Sequence, residues 1–347
     1  MIKGIRRFGT HIKVGSKVQP FMKFMDFDPK IGPSSVEPSE CETPSYDKQS
    51  EVLIKVEATA VNRADLLQSN GKYPPPAGAS EILGLECTGY LVDPRTDIIT
   101  DRKVMALLSG GGFADFARVH KDHVIDIPKG MTFGQAAAIP EQWITAYQLL
   151  FDVAKAKEGE TALVLAAASG VGTSLIQLCK SAGLNSIAGC RTVSKINKCR
   201  ELGAFDGIIC AQPIYEDRVK LITDGKGVDI ILDPVLGSFF KTNLGCLGMD
   251  ARWVIYGAMG GTTLTDVNLL KLLNKRACIL SSTLRNRTDE YKTKLISEMQ
   301  AYCIPRFESG ELIVVIDSTF NLSDASRALE YMAGNKNTGK IVLMNNL

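Results

Sequence analysis

Apolar and polar positions follow two different rhythms along this chain. Between residues 51 and 127, short apolar or alternating runs at 51–58, 81–92, 104–108, 116–119 and 124–127 are punctuated by Gly and Pro. Closely spaced short strands of this kind predict a compact β-rich unit, an open barrel. A helical start at Asn62 and a stiff Tyr73-Pro74-Pro75-Pro76 loop interrupt it, and the preceding stretch 22–48 shows turn signals at Asp28-Pro29 and Gly32-Pro33. From about Trp143 the rhythm changes. Apolar strands at 162–166, 186–190, 208–210, 228–233, 253–256 and 278–281 alternate with helical segments at 144–151, at 173–182, from Tyr215, from Phe239, near Leu269 and at 289–307. Such alternation implies right-handed crossovers and a doubly wound parallel sheet covered on both faces, an α/β fold. After Gly310 the β rhythm returns, with strands expected at 312–316 and 341–344 around a helix capped by Ser323 or Asp324. The tail is therefore expected to rejoin the first unit. The expected domains are 22–142 with 308–347, and an inserted 143–307.

The stretch 161–183 carries the first chemistry. An apolar strand runs into Ala168-Ser169-Gly170-Val171-Gly172 and then into a helix with Leu175, Leu178 and Cys179 on one face. Small residues at such a turn let backbone N–H groups approach a pyrophosphate at a helix N-terminus. Ala167 and Ser169 stand where a full G-x-G-x-x-G would have its first two glycines, and a tight turn without a ligand has the same pattern. The next strand ends Gly189-Cys190-Arg191-Thr192, with Lys195 one turn on and no acid. An NAD site expects Asp or Glu there to hold the ribose hydroxyls, whereas cations suit a 2′-phosphate. NADPH is therefore the expected cofactor, against the alternative of a solvated helix start.

Composition narrows the class. The chain has 347 residues, 45% hydrophobic and 22% charged, with a formal net charge of +2. That is ordinary for a globular protein of two domains and argues against nucleic acid as the main partner. Nine cysteines without a C-x-x-C fit reduced thiols. No apolar run approaches the roughly 20 residues of a membrane span. Residues 1–21 hold six basic or histidine side chains and no acid. A cytoplasmic location is expected, with a mitochondrial one as the alternative if this segment is a presequence and not a disordered extension or an upstream start.

Seven stretches then point to one family: NRADLLQSNGKYPPPAGASEILGLECTG at 62–89, ALLSGGGFADF at 106–116, AAAIPEQWITAYQLL at 136–150, AASGVGTSLIQL at 167–178, ARWVIYGAMGG at 251–261, LLNKRACILSSTLRNRTDEYK at 272–292 and NKNTGKIVL at 335–343. The chain resembles the zinc-free quinone oxidoreductases of the medium-chain dehydrogenase/reductase superfamily, most of all the tumour-suppressor-inducible subgroup. The resemblance implies a GroES-like catalytic domain, an inserted Rossmann domain, NADPH in the cleft between them, and a homodimer. By the same resemblance, Asn62 and Tyr73 face the substrate, and Asn62 and Thr145 the nicotinamide. Ser169, Gly170, Val171 and Gly172 hold the pyrophosphate, and Thr192 and Lys195 the adenosine phosphate, where Arg191, in place of the family's small residue, is expected to add a contact. Tyr256, Gly257 and Met259 line the nicotinamide ribose, Ser282, Thr283 and Leu284 approach its amide, and Lys340 reaches in from the tail. Cys210 departs from the tyrosine the family often carries near that phosphate. Leu85 stands where the superfamily's zinc enzymes have a histidine ligand, so no metal is expected.

With no metal ligand set and no nucleophile–base pair visible in the sequence, the pocket is expected to offer few acids or bases. A quinone suits such a site, since hydride transfer gives an aromatic hydroquinone anion. An α,β-unsaturated carbonyl is the alternative acceptor, and a non-enzymatic NADPH-binding redox sensor the alternative role.

Overall fold

The structure, a computed structural model, describes residues 13–347. The presequence reading of 1–21 thus falls largely outside the described residues. Lys17 bridges Ile98, and the Val18 N–H donates to the Asp97 carbonyl. Two antiparallel strands follow, β1 (Phe21–Asp26) and β2 (Glu37–Glu42). The sequence shows only turns here, because β2 is largely exposed Glu, Ser and Pro and carries no apolar alternation.

The β-rich unit comprises β3 (Glu51–Val61), the short helix α1 (Arg63–Ser69), β4 (Glu86–Asp93), β5 (Ile98–Leu107), β6 (Phe116–His120) and β7 (Val124–Asp126). A one-turn α2 (Phe133–Ala136) and α3 (Pro140–Tyr147) lead out of it. Pro140 at the first helical position suits a missing N–H there. The domain boundary expected at 142/143 falls inside α3, which continues as wider π turns over Gln148–Val153.

The second unit is the predicted doubly wound sheet. It runs β8 (Thr161–Leu165), α4 (Gly170–Ser181), β9 (Asn185–Cys190), α5 (Val193–Glu201), β10 (Asp206–Ile209), α6 (Glu216–Ile222), β11 (Val228–Asp233), α7 (Phe240–Cys246), β12 (Leu247–Ile255), α8 (Leu270–Asn274), β13 (Cys278–Ser281) and α9 (Asp289–Glu308). The six strands are parallel in the order β10-β9-β8-β11-β12-β13. Counted within the unit this is 3-2-1-4-5-6, the dinucleotide-binding order, with its switch point between β8 and β11.

The tail returns as expected but begins its strand later. β14 is Ile316–Asn321, followed by α10 (Ala325–Ala333) and β15 (Lys340–Met344), and the latter two strands extend the first sheet as β14-β15-β3-β4-β5-β7, with β6 beside β3. The apolar run at 312–316 is mostly not strand. Leu312 and Val315 are buried against the Rossmann-side core, and Ile313 exchanges both its backbone bonds with the Gln177 side chain of α4. Burial without a ladder partner explains why hydrophobicity there misled the strand assignment.

One hydrophobic core joins the two units. Met105, Leu107 and Ile125 pack with Ile139, Trp143 and Ile144 of α3, and onward with Val164, Ile230 and Val254. Trp143 is fully buried, edge-on to Phe307 of α9 at 4.7 Å between ring centroids. α3 is the wall the two units share.

Candidate active site

The glycine turn lies at the switch point, at the carboxyl end of β8. α4 begins three residues earlier than its apolar period indicates, so Gly170, Val171 and Gly172 form its first turn. Ser169 is the N-cap, and its hydroxyl accepts from the Gly172 N–H at 3.1 Å. A Cβ on Gly172 would lie 2.4 Å from the Ala166 carbonyl oxygen, so only glycine allows helix and strand this close. A Cβ on Gly170 would lie 2.5 Å from Gln142 Oε1 and 3.4 Å from Lys340 Cδ. The turn is thus pressed against α3 and β15, and Gly339 donates its N–H to the Ala168 carbonyl.

At the far end of β9, Arg191 Nη2 donates to the Asn335 carbonyl at 2.6 Å. Lys195 Nζ donates to the carbonyls of Asn335 and Asn337 at 3.1 and 2.7 Å. Arg63 of α1 reaches the Asn335 side-chain oxygen. Thr192 caps α5, accepting from the Lys195 N–H. Among the described residues these three cations donate to neutral oxygens only, and the Asp317 carboxylate also acts on Lys195. Burial, and after it the adjacent Arg191, hold the Lys195 ammonium below its ordinary pKa.

At the opposite end of the cleft the structure departs from expectation. Asn62 does not present a free amide: Nδ2 donates to Glu86 Oε1 at 2.8 Å and Oδ1 accepts from Lys340. Lys340 itself is buried in an ion pair with Glu86 at 2.6 Å, directed at the cleft floor and not outward. Asp65 accepts from the Asn62 and Gly84 N–H groups at 2.7 and 2.8 Å, and burial pushes its carboxyl up to about 6. The second Glu86 oxygen accepts from the Glu141 N–H at the start of α3. Thr145, one turn on from Glu141, opens onto the same side, both being only partly buried between buried neighbours.

Tyr73 lies on the facing wall, its ring under the Arg285 guanidinium at 5.4 Å. Arg285 donates to Gln68 Oε1 at 2.8 Å and to the Ser109 carbonyl at 2.9 Å, and Lys292 donates to Ser109 Oγ at 3.1 Å. Both cations come from the Rossmann unit and end on the β-rich unit, buried without an ion pair among the described residues. Tyr256 and Ser282 sit at the carboxyl ends of β12 and β13, joined by the Ser282 N–H to the Ile255 carbonyl. Leu284 is buried, Thr283 and Met259 are exposed, and Gly257 packs on Pro234.

The site's donor set fits a dinucleotide. Gln142 Oε1 of α3, Tyr256 Oη after β12 and Ser282 Oγ after β13 are buried polar atoms without a hydrogen-bond partner among the described residues, as are Trp143 Nε1, Ser186 Oγ and Ser318 Oγ. Such atoms are costly unless a ligand satisfies them. The sequence analysis singled out none of Glu86, Glu141, Arg285 and Lys292 as site residues. Glu86 and Glu141 are charges set in apolar or glycine-rich contexts, GLECTG and AAAIPEQW, and that local signal was available, whereas Arg285 and Lys292 lie in the polar run TLRNRTDEYK and carry no such signal. The expectation of few acids and bases is corrected: three carboxyl groups and three cations converge here. Leu85, buried, offers no metal donor, and no group of three potential ligands occurs among the described residues.

Comparison with known proteins agrees with this geometry. Family models for an alcohol dehydrogenase GroES-like domain and a zinc-binding dehydrogenase match residues 48–129 and 170–301. The rat synaptic vesicle membrane protein VAT-1 homolog is 30% identical over 315 residues, covering 85% of this chain and 76% of that protein. The chain belongs to the zinc-free quinone oxidoreductase family of the medium-chain dehydrogenase/reductase superfamily. The zebrafish VAT-1 homolog is 29% identical over 313 residues, and the chain spans 64% of its length. A quinone oxidoreductase-like protein 2 homolog of Nematostella vectensis is 28% identical, covering 85% of this chain and 81% of that protein. In fold, the chain matches a Pseudomonas syringae quinone oxidoreductase (TM-score 0.80, 24% identity, 93% and 99% of the two chains). It also matches a mycobacterial protein complexed with NADPH (TM-score 0.78, 24% identity, 93% and 98%).

Proposed function

We propose that this family member is an NADPH-dependent reductase that passes hydride to a quinone. The observation that carries the reading is the cation set Arg191, Lys195 and Arg63 at the end of β9, with no carboxylate among its hydrogen-bond partners. A 2′-phosphate satisfies three such donors, and a ribose hydroxyl does not. Ser169, Gly170, Val171 and Gly172 would hold the pyrophosphate on the α4 N-terminus. Tyr256, Gly257 and Met259 would lie along the ribose, with Ser282, Thr283 and Leu284 near the carboxamide and Thr145 against the ring. When bound, the cofactor supplies the hydride. The chain's part is to orient it, exclude water and fix the acceptor beside it.

Tyr73, Arg285 and Lys292 form the acceptor's wall: an aromatic face with two cations behind it, suited to a planar acceptor whose oxygen becomes negative. An α,β-unsaturated carbonyl would fit the same wall, its developing enolate oxygen facing the same cations. Among the described residues no helix is long and apolar enough to cross a membrane. The edge strand β13 is largely exposed, as are Leu270 and Leu273 beside it, and a second copy of the chain would cover that edge.

The test is NADPH consumption with an ortho-quinone and with an enal, alongside binding of NADPH and NADH by fluorescence. Turnover of the quinone with NADPH preferred is the expected result. Turnover of the enal alone moves the acceptor class. NADPH binding without turnover leaves the redox-sensor role, and no binding of either nucleotide ends the reading.

A further inference from the structure

The α3 N-terminus brings two glutamates together in different surroundings. Glu86 Oε1 receives Lys340 Nζ at 2.6 Å and Asn62 Nδ2 at 2.8 Å, and Oε2 receives the Glu141 N–H at 2.9 Å. Three donors thus compensate its charge. The Glu141 carboxyl has no hydrogen-bond donor among the described residues. It is partly buried, as is Thr145 one turn on along the same side of α3. Around it stand Glu86 of β4, Lys340 of β15, Asp65 of α1 and Arg285 of the loop after β13. Its charge is also felt by Tyr73 on the facing wall and by Lys292 of α9. Glu141 is therefore the carboxyl of this cluster left without a hydrogen-bond partner among the described residues.

We propose that Glu141 is the proton donor to the reduced acceptor. This rests on the reductase reading above. A bound cofactor would supply hydride to the acceptor, which would become an oxyanion in front of Arg285 and Lys292. The Glu141 O–H bond breaks, a new O–H bond forms on the acceptor, and the electron pair of the broken bond stays on the carboxylate. Water at the cleft mouth returns the proton. The neutral product no longer binds the two cations, which favours its release.

The electrostatics agree. Burial, and after it the Glu86 carboxylate, push the Glu141 carboxyl up to about 8. A carboxyl whose surroundings disfavour its charge keeps its proton and can donate it. The acid form is then the working form at neutral pH and is lost as pH rises through about 8.

Two measurements on the full-length protein decide it. Turnover at saturating NADPH and acceptor, followed from pH 6 to 10, should be flat at low pH and fall through about pH 8 in the wild type. Glu141→Gln should lower kcat by about 10²-fold or more and remove that falling limb, with the dissociation constant for NADPH unchanged. Independently of activity, a carboxyl signal titrating near pH 8 in the ¹³C spectrum of glutamate-labelled protein should be missing from the Gln variant. An active wild type whose kcat and pH limb survive in Glu141→Gln overturns the assignment alone, as does a Glu141 signal titrating in the ordinary carboxylate range. A wild type that binds NADPH and reduces no acceptor overturns the reductase reading, and the proton donor with it.

Discussion

Lys195 shows how far one side chain can be read in isolation. Its place one turn into the helix after β9, with no acid nearby in sequence, already pointed to phosphate. The structure adds that its ammonium is held by the carbonyls of Asn335 and Asn337, so its role depends on a loop 140 residues away. A charge-assisted bond of this kind is worth about 1.5–3 kcal/mol. Lys195→Ala should therefore raise the KM for NADPH by about 10–100-fold and change that for NADH little, as initial rates with the two nucleotides would show. An equal effect on both would remove the phosphate role. Asn62 teaches the opposite lesson. Its amide reads as free in the sequence, yet Glu86 and Lys340 occupy it. A planar amide has few partners to share, and only the folded chain reveals which have been taken.

Among the elements, the strand–turn–helix of β8 and α4 was legible because each part has a local cause. The apolar run makes the strand, Ser169 caps the helix, and Gly172 permits the close crossing. Backbone, not a flexible side chain, surrounds that glycine, so the added methyl of Gly172→Ala cannot be relieved locally. We expect a loss of about 1–3 kcal/mol in urea unfolding together with weakened NADPH binding. Wild-type stability in this variant would show that the turn has slack. The strand expected at 312–316 failed for a complementary reason. Its apolar residues are buried as predicted, but Gln177 of α4 takes the backbone bonds that a neighbouring strand would have made. Hydrophobicity reports burial, and hydrogen-bond partners decide whether a buried segment is a strand.

Across the whole molecule, the two units are one body around α3. Its buried side joins the cores, and its other side carries the partly buried Glu141 and Thr145. The parallel sheet is open, with β10 at one edge and β13 at the other. β13 pairs only with β12, and Ile279 is 36% exposed and Leu273 73% exposed beside it. An exposed apolar edge is a template for pairing with another chain. The wild type should sediment as a dimer, and Ile279→Lys should shift it toward monomer without loss of folded signal in circular dichroism. A wild type that sediments as a monomer at micromolar concentration would end this assignment.

What the sequence determined by itself is what short-range physics encodes: the alternation of strand and helix, the glycine turn, the caps, and the cations in place of an acid after β9. Each follows from residues within a turn or two of one another. Only the tertiary structure decided the chemistry at the other end of the cleft. The Lys340 amine and the Asn62 amide that meet there are 278 residues apart. The charges that act on the Glu141 carboxyl come from β4, β15, α1 and the loop after β13 together. No local pattern carries that information, because the acidity of a buried carboxyl depends on which distant charges the fold brings to it and how much water it removes.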